Sequence, residues 1–293
     1  MRAAGKVLSV LLSRFNGTIA RRMMLFDALP GPYTVANHPR ESYVVNVADK
    51  IIGRILFFRG DFDFAKFERA FAILRDEGLL PGAKEPPTLI DVGANVGSIC
   101  IPAIKRGFVA RSLAFEPDHE NFRLLRINSL LNDVDHLIEA HQAAIGDREG
   151  LVQIVRSDTN FGDHRVCIGS GDDAAQVHMT TLDSFCNGLD LSNLILWMDI
   201  QGFEGFALQG ARRFREAGVP LIFEFCKSDL EASGSYDLLK SALAGSAYTT
   251  LYDLNESEPV GRPLTGDTLD ELGESLDRRH EFTDLLVVPA RHS

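Results

Sequence analysis

The sequence predicts an α/β fold with a mostly parallel sheet and helices on both faces. Residues 88–91 form a short apolar run that ends on Asp91 and precedes a glycine-rich turn and a helical pattern. This is the order of a buried strand, a tight turn and a helix. Two further apolar runs end on Glu116 and on Asp199. Apolar runs that alternate with helical segments are typical of parallel sheets, whose crossovers are helices.

The first 30 residues are predicted to form a basic amphipathic helix, since apolar residues alternate with arginines and a lysine. Such a helix can lie on an anionic membrane surface, or pack on its own domain or a second subunit. Its apolar run is too short to span a bilayer and lacks the features of a signal peptide. We therefore expect peripheral membrane contact or homo-oligomer formation through residues 1–30. The four cysteines, which lack a C-x-x-C pair, are typical of reduced thiols in a cytoplasmic protein.

A hairpin and a helix are predicted before the first buried strand. The apolar segments 42–47 and 51–58 flank a polar turn and are expected to pair as antiparallel strands. Residues 61–79 are predicted to be a helix, because apolar side chains recur every three or four positions: Phe64, Phe67, Phe71 and Leu74. Prolines and a glycine then mark a boundary between an N-terminal extension, 1–85, and a main domain, 86–293.

The turn after Asp91 separates two classes of ligand. Gly93 and Gly97 permit positive φ and a close approach of the main chain. A dinucleotide-binding turn reads G-x-G-x-x-G, but Asn95 and Ser98 stand where its second and third glycines belong. The pattern D-x-G-x-N-x-G suits a ligand without phosphates whose amino-acid end hydrogen-bonds the loop, such as S-adenosylmethionine (SAM). An NAD-dependent oxidoreductase is the alternative.

Glu116 ends the next strand, about 25 residues after Asp91. A carboxylate there accepts the ribose hydroxyls of an adenosine, in SAM or in NAD alike. Asp118 or His119 is predicted to cap the following helix. Residues 137–145 are predicted to be the third parallel strand, and its last two residues would reach the adenine: Ala144 and Ile145.

Two more strands, 194–199 and 220–225, carry the candidate catalytic carboxylates Asp199 and Glu224. Ligands of parallel sheets bind beyond the carboxyl ends of the strands. Asp199 and Glu224 are therefore expected to line a ligand pocket at this edge, with Asp199 as the first candidate for a general base. Glu204 starts the next helix, where the helix dipole favours an acid, and it is the third candidate.

The remaining segments add strands, helices and loops. Strands are expected at 151–156, 248–254 and 284–289, and a helix at 230–243. The loop 160–166 is expected to be exposed or to contact substrate through its histidine and arginine, His164 and Arg165. The acidic segment 255–279 is expected to be an exposed loop or a lid.

Composition excludes some functions. A net charge of −11 over 293 residues disfavours a nucleic-acid substrate, because such proteins carry basic surfaces. The four cysteines form no C-x-x-C pair, which disfavours a disulfide framework or a zinc site. No metal-ligand cluster at the usual spacing is apparent either. We therefore expect no metal requirement, while glycosyl, lipid and small-molecule hydroxyls remain open as substrates.

Five motifs together resemble the FkbM-type family of SAM-dependent methyltransferases: DVGANVGS, AFEPDHENFRLLRIN, TLDSF, WMDIQGFEGFALQGA and PLIFEF. The resemblance runs from about Ile52 to Val288. It implies a class I (Rossmann-like) methyltransferase fold with a seven-stranded, mostly parallel sheet, SAM as methyl donor, and O-methylation of a hydroxyl on a sugar, glycan or small natural product. The cofactor-binding residues are then expected to be Asp91, Gly93, Ala94, Asn95, Gly97, Glu116, Asn121, Ala144, Ile145 and Asp199.

One position departs from the family pattern D-x-E-G-x-E. Here the motif reads Asp199-Ile-Gln201-Gly-Phe-Glu204, so a neutral amide replaces the middle carboxylate. Gln201 can hydrogen-bond but cannot act as a base. A catalytically silent methyltransferase-like binding module is therefore an alternative function.

Overall fold

The computed structural model describes residues 24–80, 85–157, 159–167 and 175–290. Its strands are β1 (Tyr33–Asn37), β2 (Ser42–Asn46), β3 (Thr88–Val92), β4 (Arg111–Phe115), β5 (Ile138–His141), β6 (Ala144–Ile145), β7 (Gly150–Val155), β8 (Arg165–Cys167), β9 (Ala175–Thr180), β10 (Leu194–Met198), β11 (Leu221–Phe225), β12 (Tyr248–Asp253), β13 (Arg262–Pro263) and β14 (Thr283–Pro289).

The α-helices assigned over the same residues are α1 (Ile52–Arg59), α2 (Phe64–Asp76), α3 (Cys100–Lys105), α4 (His119–Leu131), α5 (Leu182–Phe185), α6 (Glu204–Gln209), α7 (Arg212–Ala217), α8 (Lys227–Ser233), α9 (Tyr236–Ala244) and α10 (Gly266–Arg279). None of the helices in these described ranges is both long enough and apolar enough to cross a membrane. Most of the basic helix predicted for residues 1–30 lies outside the described residues.

The main sheet has the strand order β13-β12-β14-β11-β10-β3-β4-β5. The five strands from β11 to β5 are parallel, and β14 lies antiparallel between β11 and β12. The predicted α/β fold is confirmed. Of the eight strands that the described residues contribute to this sheet, seven match the expected seven-stranded sheet, and the two-residue β13 extends its edge.

Side chains of β10 show how this sheet is buried on both faces. Ile195 and Trp197 belong to one apolar core, while Leu196 and Met198 belong to the other, because successive side chains in a strand point to opposite faces. The first core also holds residues of the N-terminal extension. Phe67 of α2 packs on Trp197 with ring centroids 6.1 Å apart, so the extension covers this face of the sheet.

The predicted hairpin is wrong in its second strand. β2 pairs with β1, which precedes it, and the segment 51–58 forms α1 instead. The carboxylate of Asp49 explains this, because it accepts hydrogen bonds from the N–H groups of Ile51 (3.0 Å) and Gly53 (2.8 Å). Such a carboxylate satisfies donors that a helix start leaves unpaired. A continuous apolar run does not by itself distinguish helix from strand.

The predicted third strand, 137–145, is also corrected. β5 joins the main sheet beside β4, whereas β6 pairs with β9 in a second sheet of order β6-β9-β7-β8. The chain turns between β5 and β6, where the N–H of Ala143 donates to the carbonyl of His141. The segment 137–145 has no glycine or proline at the break, so the sequence carries no turn signal there.

Two C-terminal predictions change as well. The acidic segment 255–279 contains α10. The side chain of Thr265 caps this helix by accepting the N–H of Thr268, and its buried side chains include Leu269 and Leu276. A cap followed by apolar residues seven apart is a helix signal that the acidic composition obscured. The helix predicted at 230–243 is two helices, α8 and α9, because the chain takes a positive φ at Gly234.

Candidate active site

The N–H groups of the glycine turn after β3 donate hydrogen bonds to other groups of the protein. The N–H groups of Gly93 and Ala94 both donate to the carbonyl of Phe115. The N–H of Asn95 donates to Glu116 (2.8 Å), that of Val96 to the side chain of Asn95 (2.8 Å) and that of Gly97 to the carbonyl of Ala94 (2.8 Å). Five consecutive donors are therefore engaged. A pyrophosphate needs such N–H groups free, so this turn does not suit a dinucleotide.

The two glycines of the turn are required by protein packing. Gly93 has a φ of 87°, and a Cβ there would overlap the backbone carbonyl of Asp199. Gly97 has a φ of 92°, and a Cβ there would collide with the side chain of Ile101. The sequence had suggested that the glycines make room for a ligand. The structure shows instead that Gly93 lets the turn lie against the strand end that carries Asp199.

Glu116 ties the turn to the next helix. Its two carboxylate oxygens accept the N–H groups of Asn95 (2.8 Å) and Asp118 (2.8 Å). Burial raises the pKa of Glu116 to about 8. Asp118 in turn caps α4, as predicted, by accepting from the N–H groups of Glu120 and Asn121. A ribose hydroxyl would bind Glu116 through its remaining lone pairs.

Two buried polar atoms beside the turn lack a hydrogen-bond partner. Asp91 accepts the N–H of Cys100 with one oxygen (3.2 Å) and leaves its Oδ1 unpaired. Burial raises the pKa of Asp91 to about 7. Asn121 likewise leaves its Oδ1 unpaired. Buried polar atoms are almost always hydrogen-bonded. The two acceptors therefore fit a ligand that brings donors, such as the ammonium group of SAM.

A polar loop covers this region. The carbonyl of Phe161 accepts the side-chain amides of Asn95 (3.1 Å) and Asn121 (2.9 Å). The cavity between the loop and the turn has a volume of about 30 Å³, whereas pockets for small ligands and cofactors measure about 300–1,000 Å³. We therefore expect the loop to move outward when SAM binds. Six of the residues that line the cavity are Ile52, Asp63, Asn95, Gly162, Trp197 and Asp199.

The same loop contains the two polar residues singled out in the sequence. His164 accepts the N–H of Ser157 with its Nδ1 (3.1 Å), and burial lowers its pKa. Arg165 forms a two-pronged ion pair with Asp229, with distances of 2.7 and 3.1 Å, and also contacts Asp163 (2.8 Å). Both side chains thus hold the loop in place.

Ala144 and Ile145 belong to the second sheet. Both are buried, and their strand pairs with Met179 and Thr180. Ala144 belongs to the small core of the second sheet, and Ile145 belongs to one of the two cores of the main sheet. The structure thus shows a packing role for both residues. A contact of either residue with adenine stays a prediction.

Gln201, the residue that departs from the family pattern, links two of the candidate catalytic carboxylates, Asp199 and Glu224. The side-chain amide of Gln201 donates to Asp199 (2.8 Å) and to Glu224 (2.9 Å). Burial raises the pKa of Asp199 to about 6. Burial, and then the charge of Asp199, raise the pKa of Glu224 well above its ordinary value. Spacing along the chain could not predict this bridge, because it depends on how β10 and β11 align.

Glu204 combines a structural contact with an unused oxygen. One oxygen accepts the N–H of Ile200 (3.1 Å), which closes the turn before α6. The other is buried and lacks a partner. Burial raises the pKa of Glu204 to about 8.

Three charged residues of the site were not predicted from the sequence. Asp63, just before α2, lines the cavity beside Asp199. Lys66 of α2 forms ion pairs with Asp63 (3.2 Å) and with Asp284 of β14. Asp284 stands opposite Glu224 in the sheet, and burial raises its pKa to about 7. The N-terminal extension therefore contributes two side chains to the site.

Some residues of the candidate site can be recognised by their strained backbone conformation. Asp63, Asn95 and Gln201 adopt positive φ values of 58°, 50° and 55°. Such conformations are uncommon for residues other than glycine and concentrate at functional sites. All three residues belong to the cavity lining or to the carboxylate bridge.

A family model of the methyltransferase FkbM domain matches residues 91–255, more than half of the 293-residue chain. The chain belongs to the FkbM methyltransferase family. The resemblance seen in the sequence is thereby confirmed, together with SAM as the cofactor. This membership decides against the NAD-dependent oxidoreductase.

A comparison with solved structures finds similar chains at low sequence identity. An FkbM methyltransferase from Methylobacillus flagellatus KT is 15% identical with a TM-score of 0.42, over 82% of this chain and 66% of that one. TYW2 from M. jannaschii, in complex with AdoMet, is 12% identical with a TM-score of 0.44, over 90% of each chain. A geranyl diphosphate C-methyltransferase from Streptomyces coelicolor A3(2) is 12% identical with a TM-score of 0.41, over 94% and 99%. No curated protein sequence matches the chain.

Proposed function

We propose that this FkbM-family methyltransferase transfers the methyl group of SAM to a hydroxyl of a sugar, glycan or small natural product. One observation carries the proposal. Asp199 lies directly beside the glycine turn, where its backbone carbonyl packs on Gly93, and its carboxylate belongs to the Gln201 bridge. A carboxylate that adjoins the cofactor turn and is fixed by a hydrogen bond is suited to orient and deprotonate an acceptor hydroxyl.

The cofactor side is expected to bind through acceptor atoms. Asp91 and Asn121 offer their unpaired oxygens to the ammonium group, and Glu116 offers its remaining lone pairs to the ribose. SAM supplies a methyl group from a sulfonium, and the thioether that is left needs no proton. Positioning is then the main task of the protein, and it can lower the barrier by roughly 7–11 kcal/mol in favourable cases.

Asp199 is the residue that accepts the proton of the hydroxyl in this proposal. With a pKa raised by burial to about 6, Asp199 is mostly ionised at neutral pH. Gln201 holds one of its oxygens, Oδ1, so the hydroxyl proton passes to Oδ2 as the oxygen–methyl bond forms. A general base of this kind contributes about 10²–10⁴-fold in rate.

The proposal is tested by incubating the full chain with SAM and a library of sugars, glycosides and polyols. S-adenosylhomocysteine release and a 14-Da gain in acceptor mass are the readouts. Asp199→Asn should lower turnover by about 10²–10⁴-fold, while the exposed control Asp237→Asn should not. An Asp199→Asn enzyme that turns over normally would refute the base assignment. SAM binding without methylation of any library member would favour the silent binding module.

Several expectations from the sequence belong to the same proposal. They are a cytoplasmic location, membrane contact or homo-oligomer formation through residues 1–30, a boundary between 1–85 and 86–293, and a reaction that needs no metal. Liposome co-sedimentation with and without residues 1–30 tests the membrane contact. An assay in excess EDTA tests the metal requirement, and full activity there is the expected result.

A further inference from the structure

Two asparagine side chains bind the same atom of the covering loop, residues 159–165. The carbonyl oxygen of Phe161 accepts a hydrogen bond from the amide of Asn95 (3.1 Å) and another from the amide of Asn121 (2.9 Å). Asn95 belongs to the glycine turn, whereas Asn121 lies in the first turn of α4. Two donors from separate parts of the proposed cofactor site therefore converge on one acceptor.

The orientation of both amides follows from their other contacts. The Oδ1 of Asn95 accepts the N–H of Val96 (2.8 Å), so its NH₂ group is the part that faces the loop. If the amide of Asn121 were flipped, its oxygen would face the carbonyl of Phe161, and two acceptors would meet. Amide side chains do not ionise, so the two asparagines offer these donors at any pH.

The second polar atom of Asn121 indicates what kind of ligand fits here. Asn121 is 1% exposed, and its Oδ1 has no hydrogen-bond partner. The carbonyl of Phe161 satisfies the NH₂ group of the same amide, but a carbonyl brings no donor for the oxygen. A ligand with an acceptor and a donor side by side would satisfy both ends. The amino-acid end of SAM has this composition, because its carboxylate accepts and its ammonium group donates.

A carboxylate is also the stronger partner for these donors. Hydrogen bonds to an ionised acceptor are roughly twice as strong as those between neutral groups, and the carbonyl of Phe161 is neutral. The carboxylate of SAM can therefore replace this carbonyl on Asn95 and Asn121.

Other contacts hold the covering loop to parts of the protein outside the glycine turn. The N–H of Lys50, just before α1, donates to the carbonyl of Thr159 (2.8 Å). The side chain of Ile52 packs so closely on Gly162 that a Cβ there would overlap it. Arg165 pairs with Asp229. The loop can thus leave the two asparagines while it keeps its attachments to α1 and α8.

We propose that the carbonyl oxygen of Phe161 occupies the place of a carboxylate oxygen of SAM, and that this carboxylate displaces the covering loop when it binds Asn95 and Asn121. The amino-acid end of the cofactor, and not its adenosine, then opens the site. The inference rests on SAM as the cofactor and is independent of the group that accepts the methyl.

Four ligands test which part of the cofactor displaces the loop: S-adenosylhomocysteine, its form without the ammonium group, its form without the carboxylate, and methylthioadenosine, which lacks both. Calorimetry gives each Kd, and deuterium exchange of the peptide that contains residues 159–165 reports the loop at saturating ligand. We expect the two carboxylate ligands to accelerate this exchange at least about threefold, because the displaced loop loses its packing on the turn. The other two should leave it unchanged.

The affinities should follow the same division. Loss of the carboxylate should raise the Kd at least about tenfold, because hydrogen bonds to a charged group are lost. Equal exchange with all four ligands, slower exchange with the carboxylate ligands, or acceleration by the form without the carboxylate would overturn the inference.

Two variants of nearly unchanged size remove one donor each. Asn95→Asp and Asn121→Asp replace the NH₂ group with an oxygen, and aspartate suits both a positive φ and the first turn of a helix. Each should accelerate loop exchange in the ligand-free protein at least about threefold, because the carbonyl of Phe161 loses a donor. Each should also raise the Kd for S-adenosylhomocysteine at least about tenfold, without weakening the form that lacks the carboxylate. Asn187→Asp, at an exposed position, adds the same charge and should change neither quantity.

The two effects of these variants separate the inference from a simpler role of the loop. A loop that only blocks the site would bind S-adenosylhomocysteine as tightly or more tightly once it is loosened, and that result would overturn the inference. Failure of the wild type to bind S-adenosylhomocysteine would overturn it as well. Carboxylate-dependent loop release without methylation of any hydroxyl would refute the proposed function alone.

Discussion

The proposed cofactor half and the proposed acceptor half of the candidate site are built from different parts of the chain. The cofactor half, from Asp91 to Asn121, is one β-turn-α unit with a second strand end, and main-chain hydrogen bonds hold it together. The acceptor half joins the start of α2 with the ends of β10 and β11 and with β14, and side chains hold it together.

This difference teaches which half tolerates change. A turn fixed by positive φ and close backbone packing loses its geometry when one glycine gains a methyl group. A bridge of side chains keeps its backbone when one member is replaced, so its chemistry can change while the fold remains. We therefore expect substitutions in the cofactor half to affect folding and binding, and those in the acceptor half to affect turnover and specificity.

The largest expected effect is that of Gly93→Ala, because Gly93 in the cofactor half packs against Asp199 in the acceptor half. The methyl group would overlap the carbonyl of Asp199 at a φ of 87°. We expect a loss of more than about 3 kcal/mol in the free energy of unfolding, measured by urea denaturation. Gly107→Ala is the matched control, because its φ is 76° and its Cβ would meet open space. It should lose only about 1–2 kcal/mol. Equal losses would show that packing against Asp199 does not matter.

Glu116→Gln should weaken the cofactor half alone. The carboxylate accepts hydrogen bonds from the N–H groups of Asn95 and Asp118. In the variant, the NH₂ group of the amide would face one of these two N–H groups, and that hydrogen bond would be lost. We expect the Kd for SAM to rise by about 10–100-fold in calorimetric titration, with kcat at saturating SAM changed by less than about threefold. The exposed control Glu139→Gln, on β5, should bind SAM normally. A Kd that does not move would remove Glu116 from the cofactor site.

The buried carboxyl groups predict how stability depends on pH. Burial raises the pKa of Glu204 from 4.5 to about 8, so the folded state binds more protons than the unfolded state between these values. Its contribution to stability is fully present below pH 4.5 and is lost as the pH rises toward 8. The slope approaches about 1.4 kcal/mol per pH unit for one such group.

The thermal midpoint should therefore fall between pH 5 and pH 8.5. Glu204→Gln should fall less steeply, because the variant lacks this proton, whereas the exposed control Glu216→Gln should follow the wild type. A Glu204→Gln profile parallel to that of the wild type would contradict the raised pKa.

The smallest expected effect is on the loop that covers the cofactor turn. Arg165→Gln removes the ion pair with Asp229, which is partly exposed and stabilises the protein by less than about 1 kcal/mol. SAM association should become about two- to fivefold faster, because we expect the loop to move outward when SAM binds. Trp197, the single tryptophan, lines the cavity and reports binding in stopped-flow fluorescence. The ion-pair control Arg212→Gln, on the surface of α7, should leave the rate unchanged. Equal rates in wild type and Arg165→Gln would show that the pair does not restrain the loop.

Sequence patterns predicted the local structure of the glycine turn better than the contacts among Asp63, Lys66, Asp199, Gln201 and Glu224. The turn between Asp91 and Gly97 has a local signature, because glycine and asparagine are the residues that accept positive φ. Asp63 and Lys66 have no such signature, since they reach the site only when the extension packs on the sheet. The bridge made by Gln201 was also hidden, because it depends on the alignment of β10 with β11. The helix α1 was missed because an apolar run fits either period.

The separation of the two halves is tested most directly by measuring SAM affinity and turnover on the same preparations of wild type, Glu116→Gln and Asp199→Asn. We expect Glu116→Gln to lose affinity while keeping most of its kcat. We expect Asp199→Asn to bind SAM within about threefold of the wild type while turnover falls by at least about 100-fold. Parallel losses of affinity and turnover in both variants, or normal turnover in Asp199→Asn, would contradict the division of the site proposed here.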